Sequence, residues 1–192
     1  MKPRLLLLGD MGCGKSSLIA RCLGAEAARA GGFVTLRRRE GERLLGFDLA
    51  PARALVEENA PRQCFLDFTR RTRRDDTVFS SLGVTLLEAA AGYPFALADE
   101  FGGLELEIPE FRRALYRFLS REVPCVGVVK NDAAADALAS RAGLGGEYAR
   151  QYRLLREYLE KDTDTRLLAV SGWADGEAQR VLDDWAKTYV RK

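Results

Sequence analysis

The sequence predicts an α/β fold of three layers, in which a mainly parallel sheet lies between two layers of helices. Short apolar runs alternate with longer amphipathic runs along the 192 residues, an order typical of parallel strands joined by crossover helices. A glycine-rich segment, Gly9–Ser16, also stands between the first apolar run and the first amphipathic run. Because the length suits one substantial core and no repeat or linker is present, we expect a single domain, residues 1–192.

Composition limits the classes of partner. Hydrophobic residues make up 47% and charged residues 30% of the chain, as in ordinary globular proteins. The net charge of +2 gives no case for a nucleic-acid partner. No apolar stretch is long enough to span a membrane, and we expect no signal peptide, because Met1–Arg4 is followed by only a four-leucine run. We therefore expect neither a membrane nor a nucleic acid as a partner. We take the chain to be a monomer, although composition does not decide its oligomeric state.

Cysteine and histidine content limits the chemistry. The four cysteines lie far apart without a C-x-x-C pair, and histidine is absent, so a zinc site or a histidine base is excluded. Scattered thiols fit a reducing compartment, which predicts a cytoplasmic location. Any general base must then be the side chain of an Asp or a Glu.

The glycine-rich segment fits the spacing G-x-x-x-x-G-K-[ST] of a phosphate-binding loop, and it follows the apolar run Leu5–Leu8. Its glycines let the backbone curl so that N–H groups face inward at the positive end of the next helix. Lys15 is expected to reach the β- and γ-phosphates, and Ser16 to place its hydroxyl on Mg²⁺. The predicted nucleotide-binding residues are Gly9, Asp10, Met11, Gly12, Cys13, Gly14, Lys15, Ser16 and Ser17.

The segment after the loop predicts a helix and then a β-hairpin. The helix is expected to run from Ser17 to Ala30 and to end at Gly31–Gly32. Phe33–Leu36 and Arg43–Leu49 are typical of strands, with the polar run Arg37–Glu42 as their turn. This hairpin is an addition to the parallel core.

Residues 51–92 give a weaker pattern. A short helix is expected within Pro51–Ala60 and a strand at Cys64–Phe68, and Ser80 or Ser81 is expected to cap a helix that Gly92 ends. A charged cluster lies between the predicted strand and the second helix. It is either a solvated turn or a source of arginines that fold over bound phosphates. Its members are Arg70, Arg71, Arg73, Arg74, Asp75 and Asp76.

An acidic pair is the second chemical landmark. Asp99 and Glu100 follow the apolar run Phe95–Ala98, which predicts a buried strand that delivers carboxylates at its carboxyl end. In a P-loop protein the first acid at such a place holds Mg²⁺, usually through water, and the second can polarise an attacking water. We expect Asp99 to hold the metal and Glu100 to be catalytic with Lys15.

The remaining elements complete the alternation. A helix is predicted at Pro109–Leu119, a buried strand at Pro124–Val129, helices across 133–161, a strand at Arg166–Val170 and a closing helix at Glu177–Val190. Lys130, Asn131 and Asp132 follow a strand and either contact the ligand or form a plain turn. Trp173 and Phe33 either stack on a base or pack against the core.

Four segments together resemble a known family, the small thermostable P-loop nucleoside-triphosphatases, whose animal members are called cancer-related nucleoside-triphosphatase. They are Gly9–Ser16, Gly32–Thr35 with Gly46–Asp48, Asp99–Leu106 with Phe111, and Pro124–Val129. The chain departs from the family signature at Phe101, where Ile is usual, and at Gly103 and Leu104, where a Lys-Met pair is usual. Residues 60–80 match poorly, and the helix around 147–161 resembles an insertion.

The resemblance implies a Mg²⁺-dependent hydrolase that slowly releases phosphate from ATP, GTP and other nucleoside triphosphates, with little base discrimination. It implies phosphate and Mg²⁺ roles for Lys15 and Ser16, the metal's water shell for Asp99 and the catalytic water for Glu100, and leaves the role of Glu105 open. No arginine finger is assigned, and Arg37–Arg39 and Arg70–Arg74 are the candidates. A nucleotide or small-molecule kinase and a nucleotide-dependent binding switch stay open as alternatives.

Overall fold

One sheet organises the chain in the computed structural model, which describes residues 2–70 and 72–191. Within these residues the sheet has eight strands in the spatial order β5-β4-β3-β2-β6-β7-β1-β8. The strands are β1 (Arg4–Leu8), β2 (Ala30–Glu40), β3 (Arg43–Pro51), β4 (Gln63–Asp67), β5 (Arg73–Arg74), β6 (Phe95–Phe101), β7 (Cys125–Val129) and β8 (Thr165–Ala169).

The sheet has a parallel part and an antiparallel part. Strands β2, β6, β7, β1 and β8 pair in parallel, and β3, β4 and β5 continue the sheet from β2 as an antiparallel arm. The predicted α/β class with a mainly parallel sheet and an added hairpin is confirmed. The arm is longer than predicted, because β4 and β5 extend the hairpin of β2 and β3.

Helices cover both faces of the sheet. They are α1 (Lys15–Leu23), α2 (Val84–Ala89), α3 (Pro109–Leu119), α4 (Asp132–Ala142), α5 (Gly146–Lys161) and α6 (Gly176–Tyr189). Helices α1 and α6 share one core with Leu5 and Leu7 of β1, while α2 to α5 share the other with Leu6, because strand side chains alternate between faces. No helix among the described residues is both long and apolar enough to cross a membrane.

The end of α1 corrects the prediction at Gly31–Gly32. The helix ends at Leu23, and its C-cap Gly24 has a φ of 52°, in the left-handed region that favours glycine, whereas Gly31 and Gly32 lie inside β2. A Cβ on Gly32 would lie 2.2 Å from the carbonyl oxygen of Leu97 in β6. Gly32 therefore permits close approach of β2 and β6, and Gly31 permits close approach of β2 to Ala90 and Tyr93. A single sequence does not distinguish these roles from a helix end.

Three further boundaries differ from the predictions. Arg37–Arg39 belong to β2, and the hairpin turns at Gly41 and Glu42 instead. Ser80 and Ser81 lie within a helical segment that already begins at Thr77, where both hydroxyls donate to the Thr77 carbonyl, so neither is a cap. Arg73 and Arg74 form β5 rather than a loop, while Arg71 lies outside the described residues.

Candidate active site

The carboxyl ends of the parallel strands bring the predicted chemistry to one edge of the sheet. The phosphate loop follows β1, the acidic pair lies near the end of β6, and Lys130 follows β7. A cavity of about 330 Å³ opens there, and Lys15, Glu100 and Arg37 are among its lining residues. This is the place where ligands bind in open α/β sheets.

The phosphate loop takes up a conformation that requires its glycines. Gly12 and Gly14 have φ values of 82° and 101°. A Cβ on Gly9 would lie 2.5 Å from the Val170 carbonyl oxygen, and one on Gly14 would lie 2.6 Å from the Trp173 Cβ. The loop therefore packs directly against the segment that follows β8, and no larger residue fits at these positions.

Most of the predicted loop residues line the cavity. Met11, Gly12, Gly14, Lys15, Ser16 and Ser17 do so. Gly9, Asp10 and Cys13 do not line it and shape the loop from behind. The Cys13 amide donates to the Asp10 carbonyl at 3.2 Å, and the Cys13 thiol faces the Val170 carbonyl at 3.8 Å.

Lys15 is held at the centre of the loop. Its amine donates to the carbonyl oxygens of Gly9 and Asp10 at 2.8 and 2.7 Å, and the residue is 6% exposed. Lys15 is the first residue of α1, and its side chain folds back over the loop. Its positive charge therefore lies on the concave side of the loop, where phosphate oxygens are expected.

Asp99 is buried in β6 near the carboxyl end of the strand, and the residue is 4% exposed. Burial raises the pKa of its carboxyl to about 7, and the charge of Glu100 adds to that rise, while a hydrogen bond from the Ser16 hydroxyl and the charges of Lys15 and Lys130 oppose it. Ser16 and Asp99 therefore present two hard oxygen atoms to the same cavity.

These two oxygens suit Mg²⁺, which usually keeps several waters and takes one or two protein ligands beside substrate phosphates. Nowhere in residues 2–70 and 72–191 do three or more His, Cys, Asp or Glu side chains gather as a complete protein cage for a metal ion. The donor set is consistent with a metal shared between the protein, water and phosphate.

Glu100 is fixed by two contacts that the sequence does not predict. Its Oε1 accepts from the Lys130 Nζ at 2.9 Å, and its backbone amide donates to the Thr35 Oγ1 at 3.3 Å. The Glu100 side chain is 28% exposed, so the carboxylate borders the cavity without being sealed from water. The peptide bond that joins Asp99 to Glu100 is cis.

The three polar residues after β7 have three different contacts. Lys130 lines the cavity and pairs with Glu100. The Asn131 side chain donates to the Asp10 carboxylate at 3.0 Å and caps α4 by accepting from the Ala134 amide at 2.9 Å. Asp132 accepts from the Tyr152 hydroxyl of α5 at 2.8 Å. Only Lys130 of the three is therefore a site residue, while Asn131 braces the phosphate loop.

Glu105, whose role the sequence left open, shapes the turn after β6. Its Oε1 accepts from the amides of Gly102 and Gly103 at 2.6 and 2.7 Å, and burial raises the pKa of the carboxyl. The Tyr148 hydroxyl of α5 donates to the Gly102 carbonyl at 3.0 Å from the other side. Glu105 therefore supports the acidic pair and does not line the cavity.

The candidate arginines differ in whether they line the cavity or bind other parts of the protein. Arg37 lines the cavity and is exposed, and the described residues give it no ion pair. Arg38 pairs with Asp67 at 3.0 Å, and Arg39 donates to the Glu42 carbonyl at 3.0 Å. Arg74 pairs with Glu107 at 2.8 Å and with Asp76, and its guanidinium donates to the Leu104 carbonyl at 3.2 Å. Among the described members of both groups, Arg37 alone faces the cavity.

The two aromatic residues that could stack on a base differ in burial. Phe33 is fully buried and packs edge-on against Phe111 with ring centroids 5.7 Å apart. Trp173 is 68% exposed beside the phosphate loop. Stacking on a base is thus excluded for Phe33 and possible for Trp173.

The model of a protein family described as NTPase matches residues 4–145. The chain belongs to the NTPase family. It is therefore a hydrolase that binds and cleaves nucleoside triphosphates, the first of the three functions that the sequence left open. The resemblance to the small P-loop nucleoside-triphosphatases is confirmed.

Two solved structures share the fold of this NTPase family member. The crystal structure of THEP1 from the hyperthermophile Aquifex aeolicus is 16% identical over 97% of this chain and 98% of that one, with a TM-score of 0.58. The solution structure of a human cancer-related nucleoside triphosphatase is 18% identical over 96% of both chains, with a TM-score of 0.60. At these identities the likeness supports the fold alone, and no curated protein matches the sequence.

Proposed function

We propose that this NTPase family member releases phosphate from nucleoside 5′-triphosphates with Mg²⁺ as its metal and with little discrimination between ATP, GTP and other bases. The observation that carries the proposal is the meeting of Lys15, Ser16, Asp99 and Glu100 at one edge of the sheet, around a single cavity. Residues from two distant parts of the chain together supply the groups that triphosphate hydrolysis needs.

The phosphate loop, Gly9–Ser17, would bind the triphosphate through its backbone amides, and Lys15 would contact the β- and γ-phosphate oxygens. Ser16 and Asp99 would hold the metal, Asp99 through water. P-loop NTPases generally use a divalent metal, which neutralises charge on the bridging and γ-phosphate oxygens. Metal binding also requires the ionised form of Asp99, whose pKa burial raises to about 7.

Glu100 would orient the water that attacks the γ-phosphorus in line with the bond to the β-phosphate. A bond forms between the water oxygen and phosphorus, the bond to the β–γ bridging oxygen breaks, and a water proton passes toward the Glu100 carboxylate. The amine of Lys130 holds that carboxylate at 2.9 Å. Arg37 of the neighbouring strand β2 also lines the cavity, and closure of its exposed side chain over the γ-phosphate would supply the charge of an arginine finger.

Turnover is expected to be slow in the free protein, because Arg37 is exposed and is not fixed against the catalytic groups. A placed arginine finger is worth roughly 10³ to 10⁵ in rate. A monomer in the cytoplasm, without a nucleic acid or membrane partner, stays the prediction for its state and location.

The first experiment measures phosphate release from ATP, GTP, CTP and UTP, with Mg²⁺ and with EDTA. We expect slow release from all four nucleotides that depends on the metal. Release that continues in EDTA would contradict the metal assignment, and release from one nucleotide alone would contradict broad base use.

Variants of Lys15 and Glu100 test the roles proposed for these residues in binding and in turnover. Lys15→Ala should abolish nucleotide binding, because the loop loses the charge that contacts the phosphates. Glu100→Gln should retain nucleotide binding and lose turnover by about 10²- to 10⁴-fold, the usual contribution of a general base. Glu110→Gln, on the exposed face of α3, is the matched control and should behave as the parent does. Parental activity in Glu100→Gln would overturn the role of Glu100.

A further inference from the structure

The Trp173 side chain is exposed beside the phosphate loop, and the proposed chemistry does not use it. It is 68% exposed, whereas Trp185, the other tryptophan of the chain, is fully buried. Tryptophan is highly buried on average, and this exposed residue lies directly against Gly14 of the phosphate loop, where a bound nucleotide could contact it.

The backbone beneath the ring is anchored to the loop and to α1. Gly14 leaves no room for a Cβ, which would lie 2.6 Å from the Trp173 Cβ. The Arg21 guanidinium of α1 donates to the Trp173 carbonyl at 3.3 Å. The Ser171 amide and hydroxyl both donate to the Asp175 carboxylate, at 3.0 and 2.9 Å. The ring is therefore presented from a fixed turn.

The order of the strands sets the direction in which a nucleotide lies. The γ-phosphate must lie near Glu100 and Lys130. Glu100 belongs to β6 and Lys130 follows β7, and both strands lie on one side of β1. Strand β8 flanks β1 on the other side, and Trp173 follows β8. A triphosphate that crosses the loop from the γ end therefore brings its sugar and base toward Trp173.

We propose that Trp173 is the platform on which the base of the bound nucleoside triphosphate stacks. The ligand is any purine or pyrimidine base, because every base has a π-face and stacking tolerates all of them. This inference rests on the proposed function and adds the subsite that holds the base.

The polar side chains around the ring already form hydrogen bonds within the protein. They are therefore not positioned to hydrogen-bond the edge of a base. Arg21 donates to the Gln179 side chain at 2.8 and 2.6 Å. Asp175 accepts from Ser171 and from the Ala178 amide. A site built to hydrogen-bond a base rejects the wrong one strongly, whereas stacking alone does not. Stacking on Trp173 would therefore account for the low base discrimination that we propose.

The test compares Trp173→Ala and Trp173→Phe with the parent. Trp173→Ala should raise KM for ATP, GTP, CTP and UTP alike, by roughly 5- to 150-fold, the range of base stacking on an aromatic side chain. The kcat should stay close to the parental value, since the ring does not contact the γ-phosphate. Trp173→Phe should restore most of the affinity. Binding of inorganic tripolyphosphate, which has no base, should be the same in all three proteins.

Titration with Mg²⁺ and ADP gives a readout apart from activity. Tryptophan emission of the parent should change on binding, and the change should be absent in Trp173→Ala, because Trp185 is buried away from the site. Tyr93→Ala, which removes an exposed aromatic residue before the amino end of β6, is the matched control and should keep the parental KM.

Two results would overturn the proposal. The first is an unchanged KM in Trp173→Ala. The second is an equal loss of tripolyphosphate binding, which would mean that Trp173 only supports the loop. If the parent released no phosphate, the proposed function would fail, yet the ADP titration would still decide whether a base stacks on Trp173.

Discussion

At the scale of single residues, the ion pair between Lys130 and Glu100 joins two adjacent strands. The residues are 30 positions apart in the chain, and their side chains meet at 2.9 Å because β6 and β7 pair in parallel. The Lys130 stem also packs over the turn after β6, where its Cε would lie 3.0 Å from a Cβ on Gly103. Lys130 thus positions the carboxylate that is expected to orient water.

Lys130→Met should lower kcat by about 10- to 100-fold, because small displacements of a catalytic group have costs of that order. Methionine keeps the apolar stem over Gly103 and removes the amine, so affinity for ADP should change much less than kcat. Steady-state kinetics together with ADP titration separate the two effects.

Two companion variants control for the loss of a lysine and for the loss of charge. Lys161→Met removes an exposed lysine at the end of α5, 79% exposed, and should match the parent. Lys130→Arg should recover part of kcat because it restores a cation beside Glu100. A parental kcat in Lys130→Met would show that Glu100 does not need this partner.

At the scale of elements, the start of α6 fixes the turn that carries Trp173. Asp175 accepts from the Ala178 amide at 3.0 Å as the cap of α6, and its other oxygen accepts from Ser171. These hydrogen bonds, with the Ala178 amide contributing most, lower the pKa of the Asp175 carboxyl from 3.8 to about 2. The ionised form is therefore the one that stabilises the folded chain.

Because the folded pKa lies below the unfolded one, the stabilisation is complete above about pH 4 and is lost as the pH falls toward 2. Asp175→Asn keeps a capping oxygen and removes the titration. We expect the difference in the free energy of unfolding between parent and Asp175→Asn to shrink steadily across that interval. Urea denaturation at several pH values measures it, and a difference that is constant with pH would contradict the assignment.

At the scale of the whole molecule, β2 belongs to both parts of the sheet. Residues 30–34 of β2 pair in parallel with β6, while residues 33–40 pair with β3 of the antiparallel arm. The arm is also tied to the segment after β6 by the ion pair between Arg74 and Glu107 at 2.8 Å. The core and the arm therefore share a strand and cannot separate without breaking the sheet.

A single cooperative unfolding transition is expected for the chain, as for most small single domains. Far-ultraviolet circular dichroism follows all helices and strands, and the emission of buried Trp185 follows the packing of α6 on the sheet. The two thermal transitions should coincide. Two separate midpoints would show that residues 1–192 do not behave as one domain.

The sequence alone determined the features that depend on local order. Apolar and amphipathic runs predicted the α/β class, and the helix at Pro109–Leu119 has its predicted bounds. The spacing of Gly9–Ser16 predicted the phosphate loop, because its chemistry is contained in consecutive residues. The acidic pair Asp99–Glu100 was found in the same way, since it directly follows the apolar residues of its strand.

Only the tertiary structure decided the features that depend on contact between distant segments. Gly32 permits close approach of β2 and β6, Lys130 pairs with Glu100, and Arg37 is the arginine at the cavity. The choice between Phe33 and Trp173 likewise depended on burial. The physical reason is that pairing order and burial are properties of the whole sheet, and neighbours in sequence do not specify which strands become neighbours in space.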